Sequence, residues 1–260
     1  MTHIESIGFI GGGRVTRILL AGWVHAGVRL PRVVVCEPSA EARGALARLL
    51  PDRVVEAGDA ARAAEQDLVL LAVPAAALPD VLPSVKPSLG AGALLVSLAP
   101  TVTLAQLSTL LGGFSRLARC VPNAPSMIGA GYNPLAFGPG LGPAERRALA
   151  ALFEPLGPCP EVPEPTLEGF TLLTGMGPTY LWFQLQALRE LAGRFGLSDA
   201  QAAPALASMA TGAARLLLES GLSPAEVMDL VVVKPLAEDE AAIQGAYQAR
   251  LPAVYSRIKP

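Results

Sequence analysis

The sequence predicts an α/β fold in which a mostly parallel sheet precedes an all-helical region. Three observations predict it. Five short apolar runs alternate with helical patterns in the first part of the chain, and each run ends at a turn-forming residue. A glycine triplet, Gly11-Gly12-Gly13, joins the first run directly to the first helical pattern. Beyond about residue 165 the strand signals vanish. Continuous apolar strands separated by helices are what a parallel sheet covered on both faces requires.

The elements follow in order. Residues 4–10 read as a buried strand and 15–26 as an amphipathic helix. Residues 33–36 form a second strand ended by Glu37-Pro38-Ser39, and 40–50 the next helix. Residues 68–73 are a third strand, stopped by Pro74; 93–98 a fourth, stopped by Pro100; and 117–121 a fifth, stopped by Pro122. Ligands gather at the carboxyl ends of such strands. The pattern is that of a Rossmann-type domain over residues 1–165. The boundary is set where Pro155-Leu156-Gly157-Pro158-Cys159-Pro160 forbids helix interior, because proline lacks the N–H and clashes there. Residues 166–260 form the helical domain. Its helices span 179–195, 198–220 and 223–233, with Gly196 and Gly221 as stops, and Ser223-Pro224-Ala225-Glu226 reads as a capping box.

Composition narrows the function. Charged residues make up 16% of the chain and hydrophobic ones 52%. A charged share well under the roughly 25% of average soluble proteins suits apolar surface hidden between subunits. It equally suits an alanine-rich chain with an ordinary surface. Net charge is −2 with no basic cluster, so no nucleic-acid footprint is present. Cys36, Cys120 and Cys159 are odd in number and lack metal-like spacing, which fits reduced thiols in a cytoplasmic protein. The apolar run from Ile18 to Val24 is too short to span a bilayer.

The glycine turn carries the clearest chemistry. Glycines let the backbone approach a pyrophosphate, and the following helix offers it unpaired N–H groups and a positive dipole end. Counted from Gly11 the pattern is G-x-G-x-x-T, with Thr16 where the dinucleotide fingerprint has a third glycine or alanine. Glu37 closes the second strand, where an acidic side chain accepts from the adenosine ribose hydroxyls of NAD. Asn123, held between Pro122 and Pro125, brings a carboxamide to the same edge of the sheet. The candidate cofactor contacts are Gly11, Gly12, Gly13, Arg14, Val15, Glu37, Pro38, Val73, Pro74, Ala99 and Asn123. The glycines of Thr174-Gly175-Met176-Gly177 open a helix whose free N–H groups suit a carboxylate.

Acid–base machinery is sparse. His3 and His25 both lie in the first 25 residues and read as structural, and Lys86, Lys234 and Lys259 are the three lysines. A site poor in acids and bases suits hydride transfer to an already activated bond such as a protonated C=N, with the cofactor supplying the chemistry.

These segments together resemble the pyrroline-5-carboxylate reductase family, collinearly from about Ile4 to Val231. Residues 7–13 read like the family's I-G-F-I-G-x-G, residues 119–125 like its R-x-M-P-N-T-P, and residues 174–180 like its S-G-S-G-P-A-Y. The resemblance implies an NAD(P)H-dependent imine reductase of proline biosynthesis. Its helical domain would interlock two subunits into a homodimer or larger homo-oligomer, and Thr174, Met176, Gly177 and Lys234 would face substrate. The chain departs from the family at 233–240, where Val233-Lys234-Pro235-Leu236-Ala237-Glu238-Asp239-Glu240 replaces the substrate loop S-P-G-G-T-T. Lys234 there substitutes one charge for the lost donors. Glu37 replaces a small polar residue and would repel a 2′-phosphate, which leans the cofactor toward NADH. Two readings stay open: a reductase with an altered substrate, or a non-catalytic relative that binds a nucleotide or a partner.

Overall fold

The computed structural model describes residues 4–49, 55–57 and 59–260; His3 and Leu50 lie outside them. The chain divides into two units, Met1–Met176 with Val254–Pro260, and Gly177–Ala253.

Among its described residues the first unit is built on seven strands: β1 (Ser6–Ile10), β2 (Arg32–Cys36), β3 (Val55–Ala57), β4 (Leu68–Leu71), β5 (Leu94–Ser97), β6 (Leu117–Cys120) and β7 (Leu135–Phe137). Their order is β3-β2-β1-β4-β5-β6-β7. All pairs are parallel except β6 with β7. The helices are α1 (Arg14–His25), α2 (Ala40–Leu49), α3 (Ala60–Ala64), α4 (Leu78–Val85), α5 (Leu104–Leu110), α6 (Pro143–Phe153) and α7 (Leu167–Phe170). Because β1 lies between β2 and β4, the winding reverses beside it, and the crevice at its carboxyl end is where such sheets take ligands.

The alternation within β1 shows why both faces of the sheet are apolar. Ile7 and Phe9 enter one core with Trp23 and Phe153, while Ile10 enters the other with Val34, Val69 and Leu82. Each such side chain contributes roughly 1.5–3 kcal/mol on burial. Trp23 is fully buried; its indole N–H donates to the Leu152 carbonyl at 2.7 Å and its ring meets Phe153 edge-on at 5.9 Å. That contact fixes α1 against α6, and so aims the start of α1 at the end of β1.

Two strands were not expected. β3 and β7 have three residues each, too few to show a period, and β7 follows Pro134 as an antiparallel edge. The expected boundary near residue 165 falls inside the first unit, which runs on to Met176. α7 and the single π-helical turn Thr171–Gly175 belong to it: Arg119 of β6 bonds Glu168, and Asn123 in the loop after β6 bonds the Thr174 carbonyl.

In the second unit, α8 (Pro178–Arg194) and α9 (Asp199–Glu219) form a hairpin turned at Gly196, whose φ is +84°. Arg189 clasps Asp199 with two bonds of 3.1 and 2.8 Å. α10 (Pro224–Asp229) starts at the expected capping box, with Ser223 and Glu226 bonded reciprocally. It stops at Asp229 instead of 233, since three consecutive β-branched valines and then Pro235 disfavour helix. A further helix, α11 (Glu240–Ile258), was not expected; its residues through Ala253 belong to this unit, and Gly245 and Pro252 interrupt its pattern.

Candidate functional site

The glycine turn after β1 is dictated by space. Gly11 sits at φ +103°, and a Cβ there would come within 2.7 Å of the Ala72 carbonyl oxygen at the end of β4. At Gly12 a Cβ would lie 2.7 Å from the Glu37 Cβ. Gly13 is different, because nothing lies within 4 Å of where its Cβ would be. Two glycines are therefore needed by the protein itself, and the third faces open space. Gly13 is also the N-cap of α1, with no side chain capping the helix and no acidic residue in its first turn. Orphan N–H groups and the positive dipole end are left for an anion. Arg14 is exposed on this first turn, with Val15 half-buried behind it.

Thr16 occupies the third fingerprint position without disruption. It is fully buried, and its hydroxyl donates to the Gly11 carbonyl at 2.6 Å. A side chain where the fingerprint has glycine or alanine thus makes a bond across the turn.

Glu37 at the end of β2 is tied into the same loop. One carboxylate oxygen accepts the Gly12 N–H at 2.8 Å and the other the Ser39 N–H at 2.9 Å. Arg43 braces the loop from α2, donating to the Glu37 and Pro38 carbonyls at 2.7 and 2.8 Å. Burial, and then the neighbouring Asp59 and Glu37 carboxylates, push the Cys36 thiol up from its ordinary range. Val73 and Pro74 follow β4 and lead into a short 3-10 turn, Ala75–Ala77. Ala99 follows β5 and is almost fully buried, its N–H donating to Ser97 Oγ at 3.3 Å. Two places on, Thr101 holds φ +70°, the one non-glycine residue in the left-handed region among those described.

Asn123 follows β6 but spends its carboxamide inside the protein. Its Nδ2 donates to the Thr174 carbonyl at 3.1 Å, and its Oδ1 accepts the Tyr132 N–H at 3.0 Å. Thr174 is likewise engaged, its hydroxyl donating to the Phe170 carbonyl at 2.8 Å. The Met176 N–H closes the π turn onto the Thr171 carbonyl at 2.8 Å, so it is not a free donor for a carboxylate. Gly175 has only ordinary contact where a Cβ would stand, so space does not require glycine there. Gly177, the uncapped N-cap of α8, and Lys234, exposed in a turn closed by the Ala237 N–H on its own carbonyl, belong to the second unit. The first unit thus brings the predicted residues of β1, β2 and β4 to one edge, with Ala99 and Asn123 at the next two strand ends.

Arg119 is not marked out as a site residue by the sequence alone. It is 2% exposed in β6 and pairs with Glu168 at 2.6 Å and Glu164 at 3.1 Å. Its position two residues before Val121-Pro122-Asn123 was the available signal. Among the described residues no group of three or more His, Cys, Asp or Glu stands where it would hold a metal ion. Nor is any described helix long and apolar enough to cross a membrane.

A mostly parallel sheet reversing at β1, a glycine cradle opening on an uncapped helix and an acidic residue closing β2 define a Rossmann-type dinucleotide-binding protein. Residues 6–101 match the family described as NADP oxidoreductase, coenzyme F420-dependent, and residues 164–256 match pyrroline-5-carboxylate reductase dimerisation. The chain belongs to the pyrroline-5-carboxylate reductase family. It is 30% identical over 244 residues to the pyrroline-5-carboxylate reductase of Pseudomonas aeruginosa, covering 94% of this chain and 88% of that one. The solved pyrroline-5-carboxylate reductase of Coxiella burnetii superposes with a TM-score of 0.69 at 27% identity, over 98% of this chain and 94% of that one. The Plasmodium falciparum pyrroline carboxylate reductase, solved with NADP bound, shares the fold with a TM-score of 0.81 at 19% identity, over 100% of this chain and 98% of that one.

Proposed function

We propose that this chain is a homodimeric reductase that transfers a hydride from NAD(P)H to the C=N bond of a small imine in the cytoplasm, with pyrroline-5-carboxylate the named candidate. The observation that carries the reading is the cradle at Gly13, where a Cβ would meet nothing and no side chain caps α1. That space suits a pyrophosphate, which would take the N–H groups of the first turn of α1 with Arg14 beside them. Gly11, Gly12 and Val15 would line the turn, and Pro38, Val73, Pro74, Ala99 and Asn123 the neighbouring strand ends. When bound, the cofactor supplies the hydride. A protonated imine accepts it at carbon while the nitrogen keeps its proton, so the chain is asked to orient the two partners and not to titrate.

Glu37 supports NADH over NADPH. Both of its oxygens are held by backbone N–H groups, so the carboxylate stays at the ribose corner and opposes a 2′-phosphate. The proposed division of labour has residues 1–165 holding the dinucleotide and 166–260 serving dimerisation and substrate. Thr174, Met176, Gly177 and Lys234 are the proposed substrate contacts. Three unpaired cysteines fit a reducing compartment.

The test is cofactor oxidation by purified protein with pyrroline-5-carboxylate and a panel of other imines, against NADH and NADPH separately. Turnover with at least one imine is expected, with the lower KM for NADH. Nucleotide binding without turnover on any imine would establish a non-catalytic relative instead.

A further inference from the structure

Hydride transfer, as proposed, makes no use of the buried charges below the dinucleotide edge. Arg119 in β6 bonds two carboxylates, Glu168 at 2.6 Å and Glu164 at 3.1 Å. Arg119 and Glu168 are each 2% exposed. Taking such a pair out of water gains little stability over apolar residues of the same size, although breaking it from one side is costly. What the pair does provide is a fixed geometry, because a guanidinium fork donates to carboxylates in few orientations. Glu164 extends the bracket, since its Oε1 also accepts the Leu104 N–H at the start of α5 at 2.6 Å.

Asn123, just after β6, grips the same downstream segment through the Thr174 carbonyl at 3.1 Å. Between the two anchors run α7 and the π turn Thr171–Gly175. The Tyr132 ring stacks on Phe170 between them, centroids 5.8 Å apart. A π turn is a rare, wide helical turn that persists where its surroundings hold it, often at functional sites. Here β6 and the loop after it hold the segment on both sides.

We infer that Arg119 is a positioning residue: through Glu168 it sets the rotation of α7, and so the place where the π turn presents Thr174 and Met176. The inference rests on the reading of that turn as part of the substrate site. A role limited to neutralising charge predicts something different. Glu168→Asp keeps the charge but withdraws the carboxylate by about 1.5 Å, so neutralisation would survive it and positioning would not.

The experiment compares Glu168→Asp and Glu168→Gln with wild type by hydrogen exchange of the full chain without substrate, and by steady-state kinetics. In both variants the backbone amides of residues 171–177 should exchange about tenfold faster, while those of β1 keep their wild-type rates. The imine KM should rise about tenfold with kcat within about threefold, and NADH affinity should hold. Wild-type exchange at 171–177 in folded Glu168→Asp overturns the inference, whatever the kinetics. Equal loss of NADH binding overturns it too, since the pair would then support the whole unit. If wild type reduces no imine, exchange still decides: faster exchange confined to 171–177 keeps the positioning role while the reductase reading falls. Should both variants fail to fold, Glu164→Gln replaces them; Glu164 is half-buried, and faster exchange at 171–177 is again the expected result and wild-type exchange the overturning one.

Discussion

The Glu37 carboxylate accepts the Gly12 N–H at 2.8 Å, so the acidic side chain closing β2 is held against the glycine turn closing β1. A single residue thereby shapes the cradle, and on the function proposed above it also sets a negative charge beside the adenosine ribose. Removing the charge separates the two roles. Glu37→Gln keeps an oxygen for Gly12 but relieves the repulsion of a 2′-phosphate. The ratio of NADPH to NADH dissociation constants should fall at least about tenfold, roughly 1.4 kcal/mol of differential binding. Fluorescence titration of both nucleotides measures it, and an unchanged ratio removes Glu37 as the selector.

Thr16 answers the flaw in the fingerprint, and its bond makes a stability prediction. Thr16→Val keeps the shape and removes the donor to the Gly11 carbonyl, leaving a buried acceptor unmatched. The expected loss is about 1–2 kcal/mol. Thr16→Ser keeps the hydroxyl and should lose less. Urea unfolding of the two variants decides, and equal losses would show that the methyl group matters and the hydroxyl does not.

Five of the seven strands were legible because each is a continuous apolar run cut off by glycine, proline or Glu37-Pro38. The glycine turn was legible for a steric reason: only glycine fits against Ala72 and Glu37. Arg119 and Glu168 were illegible because they stand 49 residues apart and meet only through topology. The same holds for Asn123 and Thr174, 51 residues apart, whose bond ties the loop after β6 to the π turn. Sequence spacing reports neighbours along one element, and these pairs belong to different ones.

The thiols predict an alkaline limit. Burial, with a smaller contribution from Glu154, pushes Cys159 up to about 12, and burial with Cys159 beside it pushes Cys120 well up. Folded-state values above the unfolded ones mean that the folded chain keeps protons that the unfolded chain releases. This contribution is fully present below the ordinary thiol range near 9 and is lost as pH rises toward about 12. The urea midpoint should therefore fall over that window, and less steeply in Cys159→Ser. At pH 8 a thiol reagent should label Cys120, which is buried, far more slowly in native protein than in urea; rapid native labelling would contradict that burial.

Thr101 holds a β-branched side chain at φ +70°, where such residues are strained. Glycine relieves that strain but adds freedom to the unfolded chain, the second effect being worth about 0.4–1 kcal/mol. Relief should win, with Thr101→Gly gaining about 0.5–1 kcal/mol by urea unfolding. Destabilisation would mean that its neighbours compensate the backbone.

The helical unit lacks an interior of its own. Among the described residues of the second unit, Ala192 and Ala202 are the buried apolar ones, while Phe183, Phe195, Leu218 and Val232 are 67%, 75%, 80% and 91% exposed. Two alanines cannot offset the ordering entropy of four helices. The helices need a partner surface, and a second copy supplies one of matching chemistry in a family defined by its dimerisation domain. Folding and association should then be one transition. Tenfold dilution should lower the thermal midpoint by about 1–2 °C, from mass action over the unfolding entropy of two chains. Leu218→Asp should exaggerate that dependence or leave the unit unfolded. A midpoint independent of concentration, together with a monomer in sedimentation, would show that one copy suffices.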